Sequence, residues 1–583
     1  MTTKKNLIAF LLIIILALVA YCNTLLCGFT YDDVSVIEEN TFITKLSNIQ
    51  YLVNDGYFKN SAEKSYRPLA TLSYMIDHAI WKKNPFGYHL HNLMLHIMSA
   101  IMIFLLGSIV IKDKTVTLIA ALLFASHPLM SESVCSVSFR EDLLSAFFLI
   151  SALFFYLLYR REGRLYLLTL SLSTYLLSLL SKEMGLAFIP IVGVLELFRR
   201  KKGKTLLRAS IGISIITVIF LLIRFVWMKN PDDSYHSTPF SLTILIKTMF
   251  TYLQLYFFPI KLRILYYDTE LFNHRREIVL CITALLIGIV GFFNLKTKNK
   301  KIGLLFMSIS FAGFVPVMNI YPIRHLVAER YTYLPAFGIL FFIALLIKDN
   351  LRKYKTELLI FTVIICVSLF SARTIARNSI WSDNLSLWSN TAKNNPWLSE
   401  AFYSLGHAYQ SRKDVDMAII SYKKAIRLNP DYYDAFVNLG RAYVEIGLIE
   451  PGIKQYLHAL KLDPASPIVQ YNLGIAYNKL NQTEKSLYYL NKCVELDPNY
   501  YQAYNALGIQ YIRMNDPKKA EFYWLKTLKI NHSFTKAYSN LGSLYANLGE
   551  SDRARYFWHK ALKISPNDQA VRSKLKRLEN SLR

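Results

Sequence analysis

Leu405-Gly406-His407-Ala408-Tyr409 returns as Leu439-Gly440-Arg441-Ala442-Tyr443, Leu473-Gly474-Ile475-Ala476-Tyr477, Leu507-Gly508-Ile509-Gln510-Tyr511 and Leu541-Gly542-Ser543-Leu544-Tyr545, each 34 residues after the last. Prolines keep the same phase at Pro396, Pro430, Pro464, Pro498 and Pro566, and His532 takes the place of the missing one. Each period reads as a helix-turn-helix. The glycine lets the two helices approach closely, the aromatics fill the space between neighbours, and the proline ends the second helix. Units of this kind cannot bury an apolar face alone and must stack, so residues 399–568 are expected to form a solenoid of five units.

The period and its marker positions are those of the tetratricopeptide repeat, TPR. The units run 399–432, 433–466, 467–500, 501–534 and 535–568, preceded by a linker at 376–398 and followed by a basic helix or tail at 569–583. Such a stack presents a concave surface to a peptide or protein. Asn438, Arg441, Asn472, Asn505 and Asn540 lie on the inner helices and are candidates to bond an extended acceptor backbone.

Upstream the chain changes character. Over 583 residues it is 53% hydrophobic and carries a formal charge of +27. From Ser399 onward 26 Lys+Arg stand against 17 Asp+Glu, which leaves +18 for the preceding part. Apolar runs occur at about 7–26, 93–111, 116–136, 143–159, 165–181, 184–198, 206–228, 277–295, 302–320, 333–347 and 357–372. They have the length and composition of membrane spans. Six basic clusters, Lys4-Lys5, Lys112/Lys114, Arg160 to Arg164, Arg199 to Arg208, Lys296 to Lys301 and Lys348 to Lys355, fall at alternate loops. That alternation is the positive-inside pattern, so it marks the cytoplasmic face and explains the basic charge without nucleic acid. About eleven spans that start inside place the N-terminus in the cytoplasm and the repeats on the exoplasmic side. The run from Thr243 to Ile260 would upset this order by crossing, and reads as an amphipathic or re-entrant element within an exoplasmic segment at 229–276. The six cysteines show neither metal-ligand spacing nor a disulfide framework.

The loops assigned to the exoplasmic side gather the chemistry. The longest, 27–90, opens Gly28-Phe29-Thr30-Tyr31-Asp32-Asp33, and adjacent carboxylates at a bilayer edge are costly unless they bind, pair or react. A plainer role is open to Asp33, the N-cap of a helix starting at Val34. Ser65-Tyr66-Arg67-Pro68 lies in the same loop. Ser126-His127-Pro128 with Glu132, Arg140-Glu141-Asp142, Ser181-Lys182-Glu183 and Ile323-Arg324-His325 with Glu329-Arg330-Tyr331 lie in the others. Each is open to reading as an interfacial residue, but together they converge on one face. For a sugar on a polyprenyl phosphate, the attacking hydroxyl must lose a proton to a carboxylate general base. The departing phosphate needs Arg, Lys or a metal ion, and attack from the far side inverts the anomeric centre.

The ordered set Phe29-Thr30-Tyr31-Asp32-Asp33, Tyr66-Arg67-Pro68-Leu69, Ala125-Ser126-His127-Pro128, Arg140-Glu141-Asp142-Leu143, Ser181-Lys182-Glu183 and Glu329-Arg330-Tyr331-Thr332-Tyr333-Leu334-Pro335, followed by TPR units, resembles the transmembrane and TPR-containing O-mannosyltransferases. These are GT-C glycosyltransferases related to the protein O-mannosyltransferases. The resemblance implies an all-α chain with a GT-C transmembrane domain at 1–375 followed by the TPR solenoid. It also implies a polyprenyl-phosphate-linked mannose or other hexose as donor, an exoplasmic acceptor protein, and membrane lipids as surroundings. Carried over, Asp32 is the base, and Asp33 orients the acceptor or holds a divalent cation. Glu132 supports the acidic centre. Arg67, Lys182, Arg324 and Arg330 contact the donor phosphate, with His127, Arg140, Asp142 and His325 as polar support. No MIR-type domain is present, which leaves acceptor choice to the repeats. The compact chain resembles a bacterial member, expected in the plasma membrane, or in the ER membrane of a eukaryote.

Two other classes fit part of the pattern. An oligosaccharide ligase or polymerase using a diphosphate carrier would need a larger exoplasmic loop than the roughly 60 residues between the first two spans. A membrane-anchored scaffold would need one anchor and no gathered charges.

Overall fold

The computed structural model describes residues 2–54, 56–61, 65–111, 113–199, 203–228, 241–266, 275–318, 327–351 and 356–581. The chain divides into two compact units, Met1–Asn394 and Asn395–Arg583. Among the described residues every regular element is helical.

The first unit contains α1 (Thr2–Tyr21), α2 (Pro68–Trp81), α3 (Pro85–Val110), α4 (Lys114–Ser126), α5 (Arg140–Glu162), α6 (Leu165–Ser181), α7 (Phe188–Arg199), α8 (Lys204–Leu222), α9 (Leu242–Phe257), α10 (Arg275–Asn294), α11 (Thr297–Phe314), α12 (Ala336–Leu351), α13 (Thr356–Asn378) and α14 (Asn384–Asn394). Each of the eleven apolar runs overlaps one of these helices, and the run 116–136 continues past α4 into the short helical turns Pro128–Met130 and Ser131–Cys135. Six described helical stretches have the length and composition to cross a membrane, and the α4 pair, bent by 49° at His127, makes a seventh. The other four are shorter: α10 is apolar over Ile278–Asn294, α6 has 17 residues, α12 has 16 and α7 has 12. Helix α9 has 16, and buries Thr248, Tyr252, Leu255 and Tyr256. The rest of the segment expected at 229–276 lies largely outside the described residues.

Local chemistry sets the ends of these helices. Asn84 caps α3 by accepting from the Phe86 amide at 3.1 Å, and Asp113 caps α4 by accepting from Thr115 at 3.0 Å. Gly163, at φ 76°, makes the turn between α5 and α6. At Gly338 a Cβ would lie 2.3 Å from the Phe306 carbonyl oxygen, so only glycine permits the crossing of α11 and α12. The basic ends of the helices also meet one another. Lys114 reaches Asn6 at 2.8 Å, Lys348 pairs with Asp113, and Arg160 pairs with Glu196 at 2.6 Å. The motif-bearing loops therefore gather at the other ends of α1, α3, α4, α5 and α6.

The stretch 376–398, expected as a linker, departs from that reading. Helix α14 and the residues up to Asn394 fold with the first unit. Its apolar Leu387 and Trp388 are buried, which ordinary linkers do not achieve.

In the second unit the helix pairs are Ser399–Ser411 with Val415–Leu428, Tyr433–Glu445 with Ile449–Leu462, Pro467–Lys479 with Thr483–Leu496, Tyr501–Arg513 with Pro517–Ile530, and Thr535–Asn547 with Ser551–Ile564. A last helix, Gln569–Ser581, closes the stack with Val571 and Leu575 buried. Tyr422, Tyr456, Leu490, Trp524 and Trp558 each lie against the glycine of their own pair, so that a Cβ there would meet the ring or branch at 2.5 to 2.7 Å.

Candidate active site

Cys22–Leu26 turns the chain out of α1, and Thr30 to Asp33 forms the next tight turn. Asp33 is fully buried. Its Oδ1 accepts from the Ser138 amide at 2.6 Å and the Ser136 hydroxyl at 3.0 Å, and its Oδ2 from the Thr30 amide at 3.2 Å. Burial raises its pKa against those donors. Asp33 thus ties the first loop to the 136–138 turn. Asp32 is exposed. The two neighbouring carboxylates face different surroundings.

Phe139, next to that turn, lies 5.9 Å from the Tyr31 ring, and the Arg330 guanidinium stacks over Phe139 at 4.3 Å. Arg330 pairs with Glu132 at 2.5 Å through Nη1, while its backbone amide donates to the same carboxylate at 2.8 Å. Glu132 is fully buried, so this carboxylate is matched by two donors from one residue. Lys182 Nζ lies 2.9 Å from Glu141 and 2.7 Å from Asp142, with the Tyr331 ring centre 5.8 Å away. Arg67 pairs with Glu141 and lies 3.6 Å from Glu183, which Arg224 also meets at 3.3 Å. Burial pushes the Glu183 carboxyl up, but Arg67 and Arg224 outweigh it and hold it below the usual range. Arg224, Glu183, Arg67, Glu141, Lys182 and Asp142 thus form a chain of ion pairs, and the Arg330–Glu132 pair joins this belt through the Tyr331 ring that both Lys182 and Arg330 approach, four cations to four anions. An incoming phosphate would exchange one anionic partner for another, without desolvating a bare cation.

Two expected supporting residues stand apart from this belt. His127 is buried, with Nε2 3.1 Å from the Tyr256 carbonyl and Nδ1 accepting from the Leu129 amide at 3.3 Å. It holds the bend after α4. Arg140 pairs with Asp77 at 2.6 Å, donates to Asn92 at 2.7 Å and to the Tyr88 carbonyl at 2.9 Å, and stacks over Tyr74. It fastens α2, α3 and α5 together. Arg324 and His325 lie outside the described residues.

The sequence left Asp77 and Arg377 unmarked and quoted Glu329 only within a motif, without a role. Asp77, on the apolar helix α2, also binds His91. Glu329 pairs with Arg377 at 3.2 Å and accepts from Tyr266 at 2.9 Å, and burial pushes its carboxyl up to about 7 against the Arg377 guanidinium. An acid inside an apolar helix was the available signal for Asp77. Arg377 carried none, because a basic residue ending a span reads as an interfacial anchor. Among the described residues no three His, Cys, Asp or Glu side chains converge as a metal site.

In the second unit the expected acceptor-binding side chains divide. Asn438 donates to the Tyr403 hydroxyl at 2.9 Å, and Asn540 donates to Asn505 at 3.0 Å, each bond reaching the preceding repeat. Arg441 is exposed, 3.3 Å from Gln410, and Asn472 is partly exposed.

Family models for the tetratricopeptide repeat match residues 399–432 and 467–500, 433–466, 489–522 and 535–568. The chain is 25% identical over 469 residues to the Mus musculus protein O-mannosyl-transferase TMTC3, which covers 71% of this chain and 50% of that protein. It is 32% identical over 191 residues to the Drosophila melanogaster protein O-mannosyl-transferase Tmtc1, 31% of this chain and 22% of that one. It therefore spans about half the length of the first of these relatives. Among solved structures, the crystal structure of MamA aligns with 28% of this chain and 95% of its own at 30% identity and a TM-score of 0.26.

Proposed function

We propose, for a chain that is a relative of the transmembrane and TPR-containing protein O-mannosyltransferases, that it is a multi-pass membrane enzyme transferring a hexose, mannose by kinship, from a polyprenyl phosphate to Ser or Thr hydroxyls of exoplasmic proteins. One observation carries the mechanism: Asp33 is consumed by the 136–138 turn, while its neighbour Asp32 stays exposed and follows Tyr31, whose ring lies 5.9 Å from the Phe139 that Arg330 stacks over. The acceptor hydroxyl gives its proton to Asp32 as its oxygen attacks the anomeric carbon. The bond from that carbon to the phosphate oxygen breaks, and the anomeric centre inverts. The polyprenyl phosphate leaves with the bonding pair, its charge met by Arg330, Lys182 and Arg67, with Arg324 as a further contact. Because Arg330, Lys182 and Arg67 are already hydrogen-bonded and held in place, little reorganisation accompanies the charge that develops.

Asp33 serves this chemistry by holding the loop. Glu132 holds Arg330 at the height of Phe139. The repeats present the acceptor, with Arg441 and Asn472 as contacts and the bonds of Asn438 and Asn540 keeping the concave face in register. The test is transfer to a peptide by the purified full chain, supplied with polyprenyl-phosphate mannose. Asp32→Asn is expected to bind donor but not transfer. Wild-type turnover in that variant refutes the mechanism.

A further inference from the structure

Tyr31 has φ 56°, in the left-handed region that bulky residues rarely enter. It immediately precedes the exposed Asp32. Residues held in such conformations persist only where their surroundings over-determine them, and they gather at functional sites. The surroundings here come from the far end of the first unit's sequence. The Tyr31 amide donates to the Asn384 side-chain oxygen at 2.9 Å, and the Tyr31 ring lies between Phe139 at 5.9 Å and Trp388 at 5.7 Å. Further contacts run back toward α1. The Gly28 amide donates to the Ser382 carbonyl at 2.8 Å, and the Asn378 side chain donates to Asn23 Oδ1 at 2.9 Å and to the Ala20 carbonyl at 3.0 Å. Asn23 in turn donates to the Ile375 carbonyl at 3.0 Å. Residues 20–31 are therefore laced in order to residues 375–388, and the last stitch falls on the strained residue.

On its other side Asp32 is followed by Asp33, which is locked by Ser136, Ser138 and Thr30. The direction of Asp32 is thus defined by two anchored neighbours. Asp33 accounts for one anchor. The other is an asparagine at the first turn of α14, in a stretch whose Asn384-Leu385-Ser386 pattern otherwise reads as a glycosylation acceptor.

We propose that Asn384 is a positioning residue: its side-chain oxygen holds the Tyr31 amide in the left-handed turn from which Asp32 meets the acceptor hydroxyl, so that α14 is part of the active site. This deepens the glycosyltransferase reading and rests on Asp32 being the base. A misdirected base loses rate without losing ligand. A displacement of about 1 Å at a reacting group costs on the order of 10²-fold.

The test uses the full-length protein in detergent or nanodiscs, with polyprenyl-phosphate mannose and an acceptor peptide. Asn384→Leu is expected to lower kcat about 10- to 100-fold while donor and acceptor KM stay within about 2-fold. Asn384→Asp keeps an acceptor oxygen and is expected to stay within about 3-fold of wild type. A second pair reads the strain directly and serves if Asn384→Leu fails to fold. Tyr31→Asn, which enters the left-handed region readily, is expected to keep more kcat than Tyr31→Val, which does not. Wild-type kcat in Asn384→Leu, equal losses in the Leu and Asp variants, equal kcat in the two Tyr31 variants, or a rise in KM alone would each overturn the proposal. Asp32→Asn run alongside separates the two failures. If it is inactive while Asn384→Leu turns over normally, only the positioning role falls. If Asp32→Asn itself turns over normally, the parent reading falls.

Discussion

Asp32 and Asp33 look interchangeable in sequence, and three donors separate them in space. Removing a carboxylate that accepts from two amides and a hydroxyl in a buried turn leaves those donors unmatched. Asp33→Ala is therefore expected to cost about 3 kcal/mol and to lower the melting temperature in detergent. Asp32→Asn is expected to leave melting unchanged and to lower turnover about 10²- to 10⁴-fold, the usual share of a general base. Differential scanning fluorimetry beside a transfer assay separates the two effects. Glu329 offers a test by pH. Its folded pKa is raised to about 7 from an ordinary 4.5, so the folded state binds the extra proton between those values. The stability it contributes is complete below about pH 4.5 and is lost as pH rises through 7. The slope of melting temperature across that window is expected to flatten in Glu329→Gln. Of these residues, Asp32, Glu132, Lys182 and Arg330 were legible because charged groups beside apolar runs are costly and conspicuous. The pairing of the cations into a belt and the anchoring of Asp33 were not, because both depend on which turn meets which.

At the level of single helices, the repeats carry one internal inconsistency that can be measured. Gln510 is fully buried, and neither its amide oxygen nor its nitrogen has a partner. The corresponding positions hold Ala408, Ala442, Ala476 and Leu544. Leucine is thus accommodated one repeat further on, and Gln510→Leu is expected to stabilise the second unit by about 1 to 3 kcal/mol. Chemical denaturation followed by circular dichroism checks this, and no gain would mean that buried water satisfies the amide. The five repeat units were readable because a 34-residue period repeats one packing solution five times. Helix α14 was not. Its 11 residues are polar enough to resemble a linker, and its place shows only in the burial of Leu387 and Trp388 and in the contacts of Trp388 and Asn384 with Tyr31.

For the molecule as a whole, the proposal requires the Asp32 loop and the repeats to share the exoplasmic side. In a background with the exposed Cys22 replaced by serine, Glu38→Cys and His559→Cys are expected to react with a membrane-impermeant maleimide in intact cells, and Arg164→Cys only after permeabilisation. Labelling of Glu38→Cys only after permeabilisation would place the loop away from an exoplasmic donor. The division of labour between the units has its own signature. Arg441→Ala and Asn472→Ala are expected to raise acceptor KM several-fold, with kcat within about 2-fold, because they contribute binding and not chemistry. The same kinetic assay would expose a collapse in kcat, which would argue against it.

The sequence by itself determined that the regular elements among the described residues are helical, that an apolar multi-span part precedes five TPR units, and that acidic and basic motifs collect between the spans. Those properties follow from periodicity, run length and the cost of burying charge, which are local quantities. Only the tertiary structure decided that Asp33 is anchored while Asp32 is exposed, that His127 and Arg140 brace helices, that Arg67, Lys182 and Arg330 are each matched by carboxylates, and that Asn384 reaches back 353 residues to hold Tyr31. These outcomes arise from contacts between segments far apart in the chain, where burial and hydrogen-bond partnership are assigned by packing and leave no trace in the order of residues.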